Sequence, residues 1–427
     1  MRPVPSNPNP STGGTKSAPP SRRGAETGTQ TLAFGNGRSY GDSCLSTSDR
    51  VLHTRGLDHV LAVDWSTGVI RAEAGMTLGE LIALSLPRGW FPAVTPGTQF
   101  VTLGGAVAND VHGKNHHRQG SFGDHVLALG LYRSETGHHE LRDPNDELLR
   151  ATIGGLGLTG LIDSVELQLR RVPGMLMESH TQRFGSLGRF LALSRELDAV
   201  HEYVVGWVDC LAGACATGRG LLHAGDHSAG GKTRNRPNTA RVRVPFTPPI
   251  SMIRGWNVRW FNALVYHRPR RTRASRWQPL QRFLYPLDHI GDWNRLYGPA
   301  GLLQLQCVVP EQEAERALSE LLGRVRRAGT GSTLAVLKRF GDHWSRGLVG
   351  FPRPGVTLAL DFPRRATSDR LIRDLNALVH EAGGRLYPAK DATMTGEQFR
   401  AGYPAWERLE ALRDPALLSR FWQRVMT

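Results

Sequence analysis

The chain has 427 residues, 40% of them hydrophobic, and a formal net charge of +15, enough apolar material for a sizeable core and two or three domains. No apolar run approaches the ~20 residues that span a bilayer, and the first residues lack the apolar stretch of a secretory signal, which argues against a transmembrane or exported protein. Four cysteines, Cys44, Cys210, Cys215 and Cys307, match neither a zinc spacing nor a dense disulfide framework, so the expected location is a reducing cytoplasm.

Residues 1–30 are rich in Pro, Ser, Gly, Asn and Thr and nearly free of large apolar side chains. Such a segment cannot offset its ordering entropy, and a disordered basic tail is expected. Thr31-Leu32-Ala33-Phe34 then enters a glycine loop, Gly35-Asn36-Gly37-Arg38-Ser39-Tyr40-Gly41-Asp42. A strand followed by a tight, backbone-exposing turn is a weak phosphate-loop signal. Short strands are predicted at 51–53, 59–64 and 69–74. A helix starts at Thr77, which makes a capping box with Glu80 ahead of Leu81, Ile82, Leu84 and Leu86, and Pro87 and Gly89 end it.

The stretch 95–124, TPGTQFVTLGGAVANDVHGKNHHRQGSFGD, is the densest in chemistry. Gly97, Gly104, Gly105, Gly113, Gly120 and Gly123 leave the backbone bare enough for a bulky ligand to approach its amides. Ala106, Val107 and Ala108 can dock on a core, while Asn109, Asp110, His112, Lys114, Asn115, His116 and His117 supply donors and acceptors. A large polar ligand is the expected tenant. The histidines are metal ligands by composition, but their spacing defines no ligand geometry and no carboxylate or thiolate cluster completes a site, so no metal is expected. His116 and His117 read instead as structural hydrogen-bonders and His112 as facing a reaction centre.

A strand over 126–132, a short helix near 146–150 and the glycine-rich 154–160 follow. Val165, Leu167 and Leu169 then alternate with Glu166, Gln168 and Arg170, a half-buried strand that closes a first domain near residue 172. Beyond it the elements lengthen: an amphipathic helix at 187–200 and a strand at 201–208. Between Arg219 and Arg276 stand thirteen Lys or Arg against one acid, Asp226, interleaved with Trp256, Trp260, Phe261 and Tyr266. Such a block is either a solvated basic face or a seat for phosphate, and Arg with Trp suits a membrane interface better than a base-reading groove. Segments 302–309, 311–327, 333–340, 356–362, 368–382 and 385–387 read as β-α-β-β-α-β, the ferredoxin-like split motif. A helical tail from 403 is expected to pack back on the first domain.

Gln304 and Gln306 share one strand face, and Lys338 sits on another strand of the same sheet, which suggests a lined pocket. Lys390 follows a short strand and precedes a turn. It reads either as a desolvated amine in a cleft, able to act as base or anchor for an alkoxide, or as a surface partner of Asp391.

GRSYGD, HGKNHH, GSFGDH, WNRLYGPAG, LQLQ and LYPAKD, in this order and spacing, resemble the vanillyl-alcohol oxidase superfamily, and within it the decaprenylphosphoryl-ribose oxidases. The resemblance runs from Thr31 to the C-terminus. It implies an α+β chain: a two-subdomain PCMH-type FAD-binding domain at 31–172, a substrate-binding cap domain with a ferredoxin-like antiparallel sheet at 173–382, and a segment at 383–427 that returns to the FAD domain. It places FAD on Gly35, Asn36, Gly37, Arg38, Ser39, Tyr40, Gly41, Asp42, Gly97, Thr98, Thr102, Leu103, Gly104, Gly105, Asn109, His112, Ile162 and Tyr387. Lys390, Tyr40 and His112 are the implied catalytic residues. Lys114, Tyr297, Gln304, Gln306, Lys338 and Trp207 are the implied substrate contacts.

The implied reaction is FAD-dependent oxidation of the 2′-hydroxyl of a polyprenylphosphoryl-β-D-ribose to the 2′-keto sugar, the first half of an epimerisation of a cell-wall polysaccharide precursor. A separate NAD(P)H ketoreductase would complete it, and peripheral contact with the inner membrane is implied, with no role for nucleic acid. Many relatives bind flavin covalently through a histidine where this chain has Arg38, so the FAD is expected to be non-covalent. Two further departures are visible. Family members usually carry a strand and helix before GRSYGD, which the Pro-rich residues 1–30 do not supply. Thr357 and Ala359 stand where the resembled oxidases have Asn and Cys, so thiol-directed inhibitors should find no target. The rival expectations are a soluble polyol or aldonolactone oxidase of the same superfamily, and a non-enzymatic basic protein that binds membrane or nucleic acid.

Overall fold

The computed structural model describes residues 30–48, 50–230, 242–268 and 275–427; the expected tail before Gln30 and two parts of the basic stretch lie outside them. Helices and sheets are both extensive, and the chain is α+β. The first sheet contains β1 (Val60–Asp64), β2 (Val69–Glu73), β3 (Trp90–Pro92), β4 (Val126–Arg133), β5 (Gly137–Leu141) and β6 (Leu161–Arg171). Its strands run β1-β2-β6-β4-β5, with β3 paired to the end of β6, and every pairing is antiparallel. The alternation in β6 sends Val165, Leu167 and Leu169 into the core and leaves Glu166, Gln168 and Arg170 half-buried.

Helix α1 (Leu78–Ser85) begins with the capping box of Thr77 and Glu80. Helix α2 (Leu103–Ala108) begins where Thr102 accepts the Gly105 amide. Gly104 lets α2 lie flat on the sheet: a Cβ there would sit 3.1 Å from the Ala74 methyl.

A second sheet has eight strands: β7 (Leu176–Phe184), β8 (Tyr203–Val208), β9 (Gly220–Ser228), β10 (Arg276–Pro279), β11 (Leu302–Val309), β12 (Val336–Phe340), β13 (Gly355–Pro363) and β14 (Arg385–Leu386). Their order is β10-β7-β9-β8-β12-β13-β11-β14, antiparallel throughout. Helices α3 (Leu187–Asp198), α5 (Glu311–Ala328) and α6 (Ala366–Glu381) bury Leu191, Leu318 and Leu375 in one core with Leu305, Leu337 and Leu360 of the sheet. Between them in sequence, α4 (Gly255–His267) buries only Val258 and Asn262. Strands β7, β9 and β10 are additions to the sequence expectation. Their His180, His223, Asp226 and His227 break any clean apolar alternation.

The C-terminal helices α7 (Gly396–Gly402), α8 (Trp406–Leu412) and α9 (Arg420–Met426) bury Phe399, Leu409, Phe421 and Trp422 in a cluster that includes Leu32, Ala151, Leu156 and Leu158. Main-chain bonds stitch the chain's two ends together, Thr31 N to Ala416 O at 2.8 Å and Leu418 N to Thr31 O at 3.0 Å. Arg424 of α9 completes the join, donating to both Asp42 carboxylate oxygens and to Asp391, each at 2.9 Å. Both acids are buried, so removal of their common partner leaves two desolvated carboxylates. Arg424→Ala is expected to destabilise the fold by about 3–5 kcal/mol, read as a lowered thermal midpoint, with Arg424→Lys recovering part of the loss.

Candidate functional site

Three segments converge on one place. The first is the loop 35–43. Gly37 there has φ +57°, and a Cβ on Gly41 would stand 1.6 Å from the Asp391 carbonyl, so the loop lies directly against the turn that carries Lys390. Among the described residues, of the amides at 35–41 only that of Tyr40 is taken by another main-chain carbonyl, Ala389 at 3.0 Å. The others form a bare donor surface of the kind that receives anions. Asn36 is spent on the Phe100 carbonyl at 2.8 Å, and Asp42 on Arg424. The Arg38 guanidinium lies 5.3 Å from the Phe100 ring centre, with its Nε buried and unpartnered, as is Ser43 Oγ.

The second segment is 95–124. A Cβ at Gly97 would meet nothing within 4 Å, whereas Thr102 and Leu103 cap and begin α2. Thr98 and the Gln99 amide bond to Asp288, whose carboxyl burial pushes up to about 6. Asn109 closes α2 by donating to Gly105 O at 2.8 Å, and its own carbonyl accepts the Tyr387 hydroxyl at 2.9 Å. Ile162 is buried beneath α2.

His112 is buried among Phe340, Phe351 and Tyr387, with ring centres 5.0–5.4 Å away, and its Nε2 lies 2.9 Å from the Gln306 amide nitrogen. With that amide donating, Nε2 accepts and the neutral ring carries its proton on Nδ1, which has no partner. Burial, and then the charge of Lys338, hold the imidazole well below its ordinary pKa. His117 bonds to the His201 carbonyl at 3.1 Å, as a structural role requires. His116 does not: it stacks 4.3 Å from Phe340 with both nitrogens unpartnered, and burial pushes it down to about 3.

The third segment is one face of the second sheet. Register sets Gln304 opposite Asp361, Gln306 opposite Ala359, and Lys338 opposite Thr357; Ala359 faces Val336 on its other side, and Trp207 faces Val336 in turn. Residues paired across strands point to the same side, so all of these share the face. Gln304 donates to Asp361, and Trp207 gives its indole N–H to Thr333 O at 3.0 Å. Tyr297 is buried and is linked to Tyr40 through Trp293, at ring separations of 6.0 and 6.3 Å.

Three amines enter this space. Lys114 donates to the Phe283 carbonyl, and Lys338 reaches Gly113 O at 3.4 Å. The Lys390 nitrogen stands 3.8 Å from the Tyr40 ring centre and 3.5 Å from the Arg38 carbonyl. Burial pushes Lys114 and Lys338 down to about 7 and Lys390 to about 8, while Asp361 acts upward on Lys390. The alternative of a surface pair with Asp391 is corrected: Lys390 points inward because Arg424 already occupies that carboxylate. Asp361 was not singled out from sequence. It is buried, with its carboxyl pushed up to about 6, and it acts on Lys390, Tyr40 and Tyr297. Its position at period two from Thr357 and Ala359 was the available signal.

Unpartnered polar atoms at Arg38, Ser43, His112, Gln304 and Thr357, together with the bare loop amides, fit a large polar cofactor such as FAD. Among the described residues the one cluster with metal-ligand proximity is Asp58, His59 and Glu73, around β1 and β2 and apart from the residues above.

Comparison with known proteins agrees with this geometry. Residues 22–140 match the FAD binding domain family. The decaprenylphosphoryl-beta-D-ribose oxidase of Mycolicibacterium smegmatis is 34% identical over 408 residues, covering 92% of this chain and 88% of the relative. An uncharacterised protein encoded in the mprA 5′ region of Streptomyces coelicolor is 34% identical over 357 residues, 80% of this chain and 96% of that one. L-gulonolactone oxidase 3 of Arabidopsis thaliana is 29% identical over only 140 residues, 30% of this chain and 24% of the plant protein. The chain belongs to the family of FAD-dependent oxidoreductases acting on CH–OH groups that includes decaprenylphosphoryl-β-D-ribose oxidase.

Proposed function

We propose that the protein oxidises the 2′-hydroxyl of a polyprenylphosphoryl-β-D-ribose to the 2′-keto sugar, the first half of an epimerisation that a separate NAD(P)H ketoreductase completes. The observation that carries this reading is Lys390, a buried amine held over the Tyr40 ring beside both the cofactor loop and Asp361. FAD is held without a covalent bond, by the loop 35–43, Gly97, the start of α2 and Tyr387, since Arg38 offers no attachment atom where many relatives place histidine. Bound FAD supplies the two-electron acceptor for the hydride that leaves the sugar C2′.

Lys390, neutral above its depressed pKa, takes the hydroxyl proton as the carbonyl forms. Asp361 faces the resulting ammonium and stabilises it. Gln306 and the unpartnered Nδ1–H of His112 supply donors to the sugar oxygens, while Tyr40 and Tyr297 close the site against water. The FAD-binding part is 31–172, the cap 173–382, and the segment 383–427 returns Lys390 to the cofactor loop. Family membership sets aside a binding protein without chemistry. A soluble polyol or aldonolactone oxidase is the second reading, and the gulonolactone oxidase likeness, confined to 30% of the chain, gives it less support.

The exposed side of α4, with Trp256 and Trp260 at 73% and 69% exposure beside Arg259, supports peripheral contact with an anionic membrane. Among the described residues no helix is long and apolar enough to cross one. Trp256→Ser/Trp260→Ser is expected to lower co-sedimentation with phosphatidylglycerol vesicles several-fold without altering flavin content.

Stopped-flow bleaching of the flavin tests the substrate. A polyprenylphosphoryl-ribose should reduce it and free polyols should not; the reverse order would favour the second reading. Lys390→Ala should keep yellow, flavin-loaded protein but lose about 10²–10⁴-fold in flavin reduction rate. The wild-type rate should rise with pH through a midpoint of about 8, where Lys390 loses its proton. Asp361→Asn removes the charge that holds that proton, so its midpoint should move to lower pH.

A further inference from the structure

We propose that the phosphoryl group of the lipid-linked substrate is held in a separate arginine-lined cavity on the far side of Tyr297, with the prenyl chain leaving over Ile250 towards α4. This rests on the reading of the substrate as a prenyl phosphate ester.

The cavity has a volume of about 410 Å³, and Arg254, Arg364, Arg365, Tyr297, Pro249 and Ile250 are among its lining residues. No carboxylate lines it. Arg254 is the N-cap of α4 and Arg365 the N-cap of α6, helices of 13 and 16 residues, so two helix N-termini converge on the same space. First-turn amides have no partner within their own helix, and the N-terminal end of the helix dipole favours an anion. Three guanidinium groups add permanent charge in a geometry suited to phosphate oxygens. Arg365 also reaches the Ile253 carbonyl at 3.3 Å, which orients its fork at the cavity rim.

The location matches the chemistry of the substrate. In a phosphoryl ribose the phosphate hangs from the anomeric oxygen, and the carbon that is oxidised is the next one in the ring. The phosphate must therefore lie about one side chain away from the reacting carbon. Tyr297 is that side chain: it lines the cavity and also feels the charges of Asp361 and Tyr40.

The apolar wall continues outward through Ile250, Met252, Trp256 and Trp260, all of them exposed. A prenyl tail would cover this path, whereas free phosphate would leave it bare. Lys338 is the competing holder of the phosphate. Its nitrogen, however, is turned to the Gly113 carbonyl, and burial leaves it only partly charged at neutral pH.

The test is calorimetric titration of the flavin-loaded full chain with farnesyl phosphate, farnesol and inorganic phosphate. Arg254 and Arg365 are exposed, so Arg254→Gln/Arg365→Gln should melt like the wild type. In that variant farnesyl phosphate should bind about tenfold more weakly or worse, with weak farnesol binding unchanged. Unchanged farnesyl phosphate affinity in the double variant would overturn the proposal, as would loss of that affinity in Lys338→Met alone. Inorganic phosphate binding as tightly as farnesyl phosphate would overturn the lipid assignment. In turnover the double variant should raise KM for the phosphoryl ribose and keep kcat. If no phosphoryl ribose reduces the flavin but farnesyl phosphate binding still depends on the two arginines, the proposed activity fails and the phosphate site stands.

Discussion

Burial of three amines against one facing carboxylate is the constraint on which the site depends. Lys114, Lys338 and Lys390 are desolvated, and repulsion among them lowers the pKa of Lys338 further. Asp361 is the acid that offsets part of this at Lys390, and it is itself pushed towards the neutral form by burial. Such a cluster is costly while it faces nothing, because like charges in a low-dielectric space repel strongly. It becomes favourable when an anionic or electron-rich partner enters. The same feature that destabilises the unliganded cleft therefore prepares it for a substrate bearing negative charge.

This arrangement survives only because the chain's two ends are tied together. Arg424, near the C-terminus, holds Asp42 of the cofactor loop and Asp391 of the Lys390 turn with one guanidinium. The approach of Gly41 to the Asp391 carbonyl leaves no room for a side chain, so the loop and the turn move as one piece. Tyr40 and Lys390 are brought into contact by that join, although 350 residues separate them in sequence. An ion pair that looks purely structural thus sets the position of the proposed base.

Much of this was legible in the sequence because local rules agreed with the fold. Thr77 and Glu80 announced a helix start that the structure shows as a complete capping box, and the alternation of 165–170 produced the buried and half-buried faces of β6. The cofactor loop and the shared face of Gln304, Gln306 and Lys338 were also visible, the latter because strands alternate with period two. What was not visible depends on pairing across long distances. Asp361 earns its role from standing opposite Gln304, and Arg424 from an ion pair to the other end of the chain. Strands β7 and β9 carry histidines and acids on one side because their neighbours, not solvent, satisfy them, as with Thr181 and His223 at 2.9 Å. His116 was misread for the opposite reason. A histidine beside Lys and Asn suggests hydrogen bonding, yet it packs as an aromatic ring on Phe340.

The distribution of charge separates two tasks that one basic surface would confuse. Buried lysines titrate near neutrality, so they can exchange a proton with a sugar hydroxyl but make poor permanent anion holders. Arginines keep their charge at any physiological pH, and those at the starts of α4 and α6 stand outside the buried centre, near enough to hold a phosphate without neutralising the base. Had the three been lysines, burial of a lipid beside them would push their charge off as it does at Lys338. Had Lys390 been arginine, no proton could leave it. The division of lysine inside and arginine at the rim follows from the acid–base chemistry of the two side chains, and it gives the excess of positive charge on this chain two distinct uses.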